Sequence, residues 1–359
     1  MQNKKRWVLW ILLLTIVVLI RLFSDSSSRA EAWYSTGLYP NWAIFLRSLT
    51  GWLPFSLGDL LYGLTGTWLL YKLVRAINAV VKKKVTRQFM LTKFSNAILI
   101  LVIIYIVFNL FWGINYNRRG IASQLGLPIE KYSTADLRTV NTVLLQKIND
   151  CKTASRRSGN LVVTTKAIFE GAVEAYGEAH KKYPFLQYTA KNVKTSIWGW
   201  LGNYAGFTGY YNPFTGEAQV NTTVPTFLQP YITCHEIGHQ LGYAKENEAN
   251  FVGYLSATAS KDSAFLYSAY LDLFLYTDRN LYNVDSATAK SLAHQLLPGV
   301  KADLKELSDF NRRHQNPFEP VIRWMYGKYL QNNQQPSGIL SYDEVTGLLI
   351  AYYKKNGTL

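Results

Sequence analysis

The chain has 359 residues, 48% of them apolar, 14% aromatic and only 17% charged, a balance that excludes a disordered or collagen-like polymer and leaves enough apolar mass to bury a core. Two cysteines are too few for a disulfide scaffold and lack zinc-finger spacing. The formal charge of +15 raises nucleic acid as a partner, but residues 1–116 hold 13 Lys and Arg against 3 Asp and Glu, whereas residues 117–359 hold 25 against 20; the excess follows the apolar runs, as membrane topology requires, and points away from nucleic acid.

Three apolar runs come first. Trp7–Ile20, behind Lys4, Lys5 and Arg6, extends through Leu22 and Phe23 with Arg21 snorkelling, which approaches the roughly 20 residues a helix needs to cross a bilayer. Ala30-Glu31-Ala32 has the form of a cleavage site but lies too far beyond the run, so residues 7–23 are expected to be an uncleaved anchor. The second run, about 53–81, ends in Lys82, Lys83, Lys84 and Arg87; Asp59 near its start is expected at the membrane interface. The third, 94–116, is the most continuously apolar. The amino terminus and the 82–93 loop are basic while the 24–51 loop carries only Arg29 and Arg47, so the first two face the cytoplasm and everything after Tyr116 lies outside it. Arg118 and Arg119 oppose that assignment. Outside, Cys151 and Cys234 can pair or remain buried thiols.

From 117 to 359 the expectation is one globular α+β domain, mostly helical with a small sheet. Leu137, Val140, Leu144 and Ile148 recur at helical spacing within 134–153, and a second helical pattern covers about 164–182. Asn192–Leu201 reads as extended, and Gly209–Asn221 as two strands about an Asn212–Gly216 turn. Helices then resume to the carboxyl end.

The chemistry concentrates at His235-Glu236-Ile237-Gly238-His239. On a helix the i, i+4 spacing turns both imidazoles to one face, where they can share a zinc ion, with Glu236 in reach of a water beside it. A catalytic zinc needs a third protein ligand and an open position. Gly242 suits a left-handed helix stop, after which the helix resumes through Glu246-Asn247-Glu248-Ala249-Asn250. Glu246 and Glu248 point about 200° apart at about 100° per residue, so only one can face the metal; Glu246 is taken as the ligand, Glu248 as the alternative, and Asn250, one turn from Glu246, as a group that hydrogen-bonds a ligand histidine.

HEIGH followed by Glu246, Ala249 and Asn250 resembles the gluzincin zinc metallopeptidases, whose second motif is E-x-x-[AS]-[DN], and is similar to ImmA/IrrE-like peptidases. The arrangement with three spans resembles an uncharacterised family of bacterial membrane proteins carrying HExxH. The resemblance implies a zincin-like domain on the outer face of the bacterial cytoplasmic membrane, Zn2+ as cofactor, and a peptide or protein substrate cut with Glu236 as general base on zinc-bound water. It also implies that a strand before the HExxH helix, here within Glu217–Asn221, pairs with the substrate backbone. An oxyanion donor is needed; by residue type His294, His314, Tyr326 and Tyr211 qualify. The alternative is a zincin-fold, membrane-anchored binding protein without activity.

Overall fold

The computed structural model describes residues 2–82, 86–157, 164–338, 340 and 344–359; Lys83 and Lys84 of the basic loop lie outside the described residues. The chain is mostly helical. Among the described residues, α1 (Gln2–Ser24) and α5 (Arg87–Phe111) are the two helices long and apolar enough to cross a membrane. They pack along each other, with Leu13, Ile16, Val17 and Ile20 against Val102, Tyr105 and Ile106. Arg6 donates to Ser95 and Asn96, and Arg21 stands 5.7 Å over the Tyr105 ring, so the two helices run parallel.

The segment between α1 and the next long helix, expected to be an inter-span loop, is itself folded. It forms α2 (Ser27–Arg29), a nine-residue π-helical stretch Ala30–Leu38 and α3 (Tyr39–Thr50). Tyr34, Tyr39 and Ala43 bury into a core with Trp112, Ile114, Tyr116, Tyr211 and Ala244. Glu31 of the cleavage-like triplet accepts from Arg118 at 2.9 and 3.1 Å; Arg118 is buried by this pairing, so its charge serves packing and not topology.

α4 (Leu57–Val81) starts four residues later than expected and falls short of the apolarity of a spanning helix, carrying Lys72 and Arg75 among its apolar residues. Its amino terminus is fastened to the carboxyl-terminal domain. Glu217 accepts from the Leu57 and Gly58 N–H groups at 2.9 and 2.6 Å, where a carboxylate meets the positive end of the helix. Asp59, expected at the interface, is instead buried and accepts from the Ile197 N–H at 2.6 Å and from the Tyr210 hydroxyl. The third span also ends early. After Phe111 the chain passes through Trp112 into a 3-10 turn, Gly113–Asn117, that is buried against the carboxyl-terminal domain, so the expected boundary at 116 cuts through shared packing.

The helices α6 (Gly120–Leu125), α7 (Thr134–Arg157) and α8 (Thr165–Lys182) follow, the last two where the periodicity places them. β1 (Val193–Thr195), β2 (Gly209–Asn212) and β3 (Glu217–Val220) make a sheet of order β1-β3-β2. β1 is parallel to β3, with Val193 opposite Ala218, and β2 is antiparallel, with Gly209 opposite Val220. The expected hairpin is present, its turn held by Asn212 Oδ1 accepting from the Phe214 and Thr215 N–H groups. Only the start of the expected extended stretch 192–201 is strand. Gly199–Ala205 is helix α9, with the Gly199 carbonyl accepting from Asn221 at 2.9 Å, a tertiary contact that overrides β-propensity. Because β3 is central and buried along its length, it has no free edge for a substrate; β2 does.

α10 (Gln229–Gln240), α11 (Glu246–Ala257), α12 (Ser263–Val284), α13 (Ser286–His294), α14 (Pro298–His314), α15 (Glu319–Asn332) and α16 (Val345–Asn356) complete the chain. α7, α8, α10, α11, α12 and α16 share one core, centred on Leu144, Ile148, Tyr176, Ile237, Phe251 and Leu349. Cys151 and Cys234 are both free and buried in it, so they are not paired.

Candidate metal centre

α10 is buried on nearly every side, so its polar groups need partners within the protein. Gln240 donates to the Asn192 and Gly216 carbonyls at 2.8 Å. The carbonyls at its carboxyl end have few intrahelical donors; the Gly242 N–H bonds that of His239 at 3.0 Å, and residues from the first third of the chain add further donors around the helix end. Tyr39 and Arg47 both donate to the Gln240 carbonyl at 3.0 Å, Trp112 Nε1 to that of His239 at 3.2 Å, and Arg118 to that of Gly242 at 3.1 Å.

Gly242, at φ +85°, stops the helix as its position predicts, and a Cβ there would meet the Tyr39 ring at 2.8 Å. The turn it makes returns the Tyr243 carbonyl to within 2.7 Å of His239 Nδ1. That contact places the proton on Nδ1 and leaves Nε2 as a ligand atom. Asn250 was expected in this role. It lines the same cavity, but its side-chain nitrogen has no partner, and its backbone carbonyl accepts from the Tyr231 hydroxyl at 2.8 Å.

α11 lies close against α10, because Gly253 passes the His235 backbone where a Cβ would sit 3.1 Å away. This brings Glu246 to the histidines. Its Oε2 is 3.4 Å from His235 Nε2 and 3.5 Å from His239 Nε2, and its Oε1 accepts from Tyr326 at 2.8 Å. One ligand atom from each of His235, His239 and Glu246 falls within 4.8 Å of the others, a donor set of two imidazoles and a carboxylate that suits zinc. Glu246 Oε2, buried and with no hydrogen-bond donor, is the kind of orphaned acceptor a cation would satisfy. Glu248 points elsewhere, against Gly120, where a Cβ would fall 2.0 Å from Glu248 Oε1, and towards Lys245 at 3.9 Å.

The electrostatics follow from this crowding. Burial alone would raise the Glu246 carboxyl, but the two imidazoles outweigh it and hold the group well below the usual carboxylate range. Burial would lower His239, yet Glu246 carries it up to about 9. Glu236 has no such partner. Burial pushes it up to about 7, against the opposing pull of His235 and His239, and its Oε2 makes no hydrogen bond. Gly209 at the start of β2 makes room for it, since a Cβ there would lie 2.5 Å from Glu236 Oε1.

His235, Glu236, His239 and Glu246 line a cavity of about 670 Å³. Tyr211 and Tyr326 line it too, but His294 and His314 do not. His314 is bonded to the Phe310 carbonyl at 2.8 Å and packs on Tyr204. Tyr326 is committed to Glu246, and the Tyr211 hydroxyl lies 3.3 Å from that of Tyr39. Two residues at the site carry no motif. Asp272 of α12 lines the cavity, with burial pushing its carboxyl to about 6 against the pull of His235, and Trp112 meets the His239 ring edge-on at 6.0 Å.

The family described as "Protein of unknown function (DUF3810)" matches residues 34–350. The chain belongs to the DUF3810 family. That match takes in α3, α4, α5 and the helices of the metal centre together, the same elements that share packing in the fold. No curated protein and no solved structure matches the chain.

Proposed function

We propose that this protein is a membrane-anchored, zinc-dependent metallopeptidase working outside the cytoplasm. The observation that carries the reading is the convergence of His235, His239 and Glu246, from two helices, beside a buried Glu236 in one cavity. A zinc ion held by those three residues would supply Lewis acidity and a more acidic water. Glu236, pushed to about 7, has the proton affinity to take a water proton and pass it to the leaving amine. β2 supports backbone recognition. The Asn221 N–H bonds the Thr208 carbonyl, so alternation along the pair turns the backbone groups of Gly209 and Tyr211 to the open edge, beside Glu236.

The membrane assignment is supported by direction. α1 and α5 are parallel, and both end at the outer domain, where α4 begins. A chain that crosses twice in the same direction has to return between, and α4, about 37 Å long at 1.5 Å per residue, is the segment available. With the basic residues 4–6 and 87–93 at the far end, the domain faces outward.

The full chain is the right material for testing this, because Tyr39, Arg47 and Trp112 complete the end of α10. Elemental mass spectrometry of detergent-purified protein should find about one zinc per chain. Glu246→Ala should weaken zinc retention by about 10-fold or more, while Glu248→Gln leaves it intact. Glu236→Gln should keep the zinc and abolish peptide-library cleavage. Zinc retention with no cleavage by the unaltered protein would favour the binding-protein alternative, and absence of zinc from supplied, folded protein would end the enzyme reading and put that alternative first.

A further inference from the structure

The cavity that holds the site has two unlike walls. One is the polar face of α10 and α11. The other is apolar and comes from helices outside the globular domain: Leu101, Ile104, Tyr105 and Phe108 of α5, and Tyr62 of α4, which stacks on Tyr210. Leu101 and Ile104 are 63% and 50% exposed, so this wall runs without a break onto the outer surface of a spanning helix. Leu101 lies ten residues before the end of α5, about 15 Å along the helix axis, which is about half the thickness of a hydrocarbon core. α1 and α5 pack on each other, whereas α4 has no comparable packing with either, so the apolar wall is not closed off by helix contact.

A second feature lies on the same flank. α9 and α15 touch each other, and α15 contributes Tyr326 and Tyr329 to the cavity. Its Trp324 and Met325 face outward, 64% and 60% exposed, next to exposed Phe318 and Val321, and α9 exposes Trp200. Aromatic and aliphatic groups on helices that flank a span have the composition of a surface resting at the lipid boundary.

We infer that the substrate is a polypeptide held in the bilayer, with its scissile bond a few residues from an apolar anchor, and that the anchor lies along the α5 wall while the backbone reaches β2. This rests on the metallopeptidase reading above and names its substrate class. The anchor can be a transmembrane helix or an acyl chain; both present hydrocarbon at the depth of Leu101 with a peptide emerging above it.

The test uses the zinc-loaded full chain in phosphatidylcholine vesicles and one randomised decapeptide library in five forms: free, palmitoylated, fused to a Leu-Ala transmembrane helix, and the two anchored forms again through a spacer of about 30 Gly and Ser residues. Directly anchored libraries should be cut at least about 10-fold faster than the spaced ones, which share their local concentration, and Glu236→Gln should cut none. The anchor that works names the source. Equal rates with and without the spacer, or for the free library, would overturn the inference. Failure of every library would count against hydrolysis itself, and access is then read without turnover. A bimane label on Thr208→Cys, at the cavity rim, should be quenched by bromine in the lipid acyl chains more than by iodide in water; the reverse order would overturn lateral access whether or not the protein is an enzyme.

Discussion

His239 takes its orientation from a glycine three residues on, because only the left-handed turn at Gly242 returns the Tyr243 carbonyl to Nδ1. With Glu246 beside it, the imidazole of the metal-free protein holds its proton up to about pH 9. Zinc must displace that proton, so uptake between pH 7 and 9 should release about one proton per chain and apparent affinity should climb by up to about 10-fold per pH unit, levelling off above 9. Calorimetry in two buffers of different ionisation enthalpy measures the release. Gly209 has a comparable effect on Glu236. Gly209→Ala should leave zinc content unchanged and lower turnover by about 100-fold, the scale expected when a reacting group is displaced by about 1 Å. The grouping of His235, His239 and Glu246 was legible in the sequence because their spacing is local: i and i+4 on α10, then a stop and one turn of α11. The Tyr243 carbonyl, Asp272 and Trp112 were not, since a backbone acceptor has no side-chain signature and the other two come to the histidines only through tertiary packing.

The elements expected from periodicity are present where burial is one-sided, as for α7 and α8, and the hairpin is present because Asn212 and Gly216 have a turn chemistry that nothing distant contradicts. Sequence reasoning failed where an element's partner lies far away in the chain. α9 sits in a stretch of strand-forming residues but closes on Asn221, and residues 27–50 read as a loop because their buried tyrosines find their acceptors far along the chain, Tyr34 at the Leu110 carbonyl and Tyr39 at that of Gln240. The same tertiary logic reassigns Arg118. It lies 4.4 Å over the Tyr243 ring, donates to the Gly242 carbonyl and pairs with Glu31. Arg118→Ala strips the Gly242 carbonyl of that donor and leaves the Glu31 charge with only the Arg119 N–H and Gln124 as donors, at a cost of about 3 kcal/mol. The loss should appear as a lowered unfolding midpoint in detergent and be partly relieved by Glu31→Gln in the same chain.

Across the whole molecule, the charge count and apolar runs made a membrane protein with an outward domain the natural expectation, and the length and apolarity of α1 and α5 bear out the membrane part of it. What composition alone could not convey is that the helices do not merely tether the domain. Trp112 is the residue immediately after α5, and its indole holds the His239 carbonyl. His239 of the candidate metal centre is therefore registered, through this hydrogen bond, to the end of a helix long and apolar enough to cross a bilayer. Lipids whose hydrocarbon is too thick or too thin for α5 make such a helix tilt or shift, and any such movement is passed to the imidazole. Zinc affinity should accordingly peak at one acyl-chain length in a series of reconstituted bilayers, and Trp112→Phe, which keeps the ring and removes the donor, should flatten the peak. The thickness of the membrane would then act as an input to the metal site.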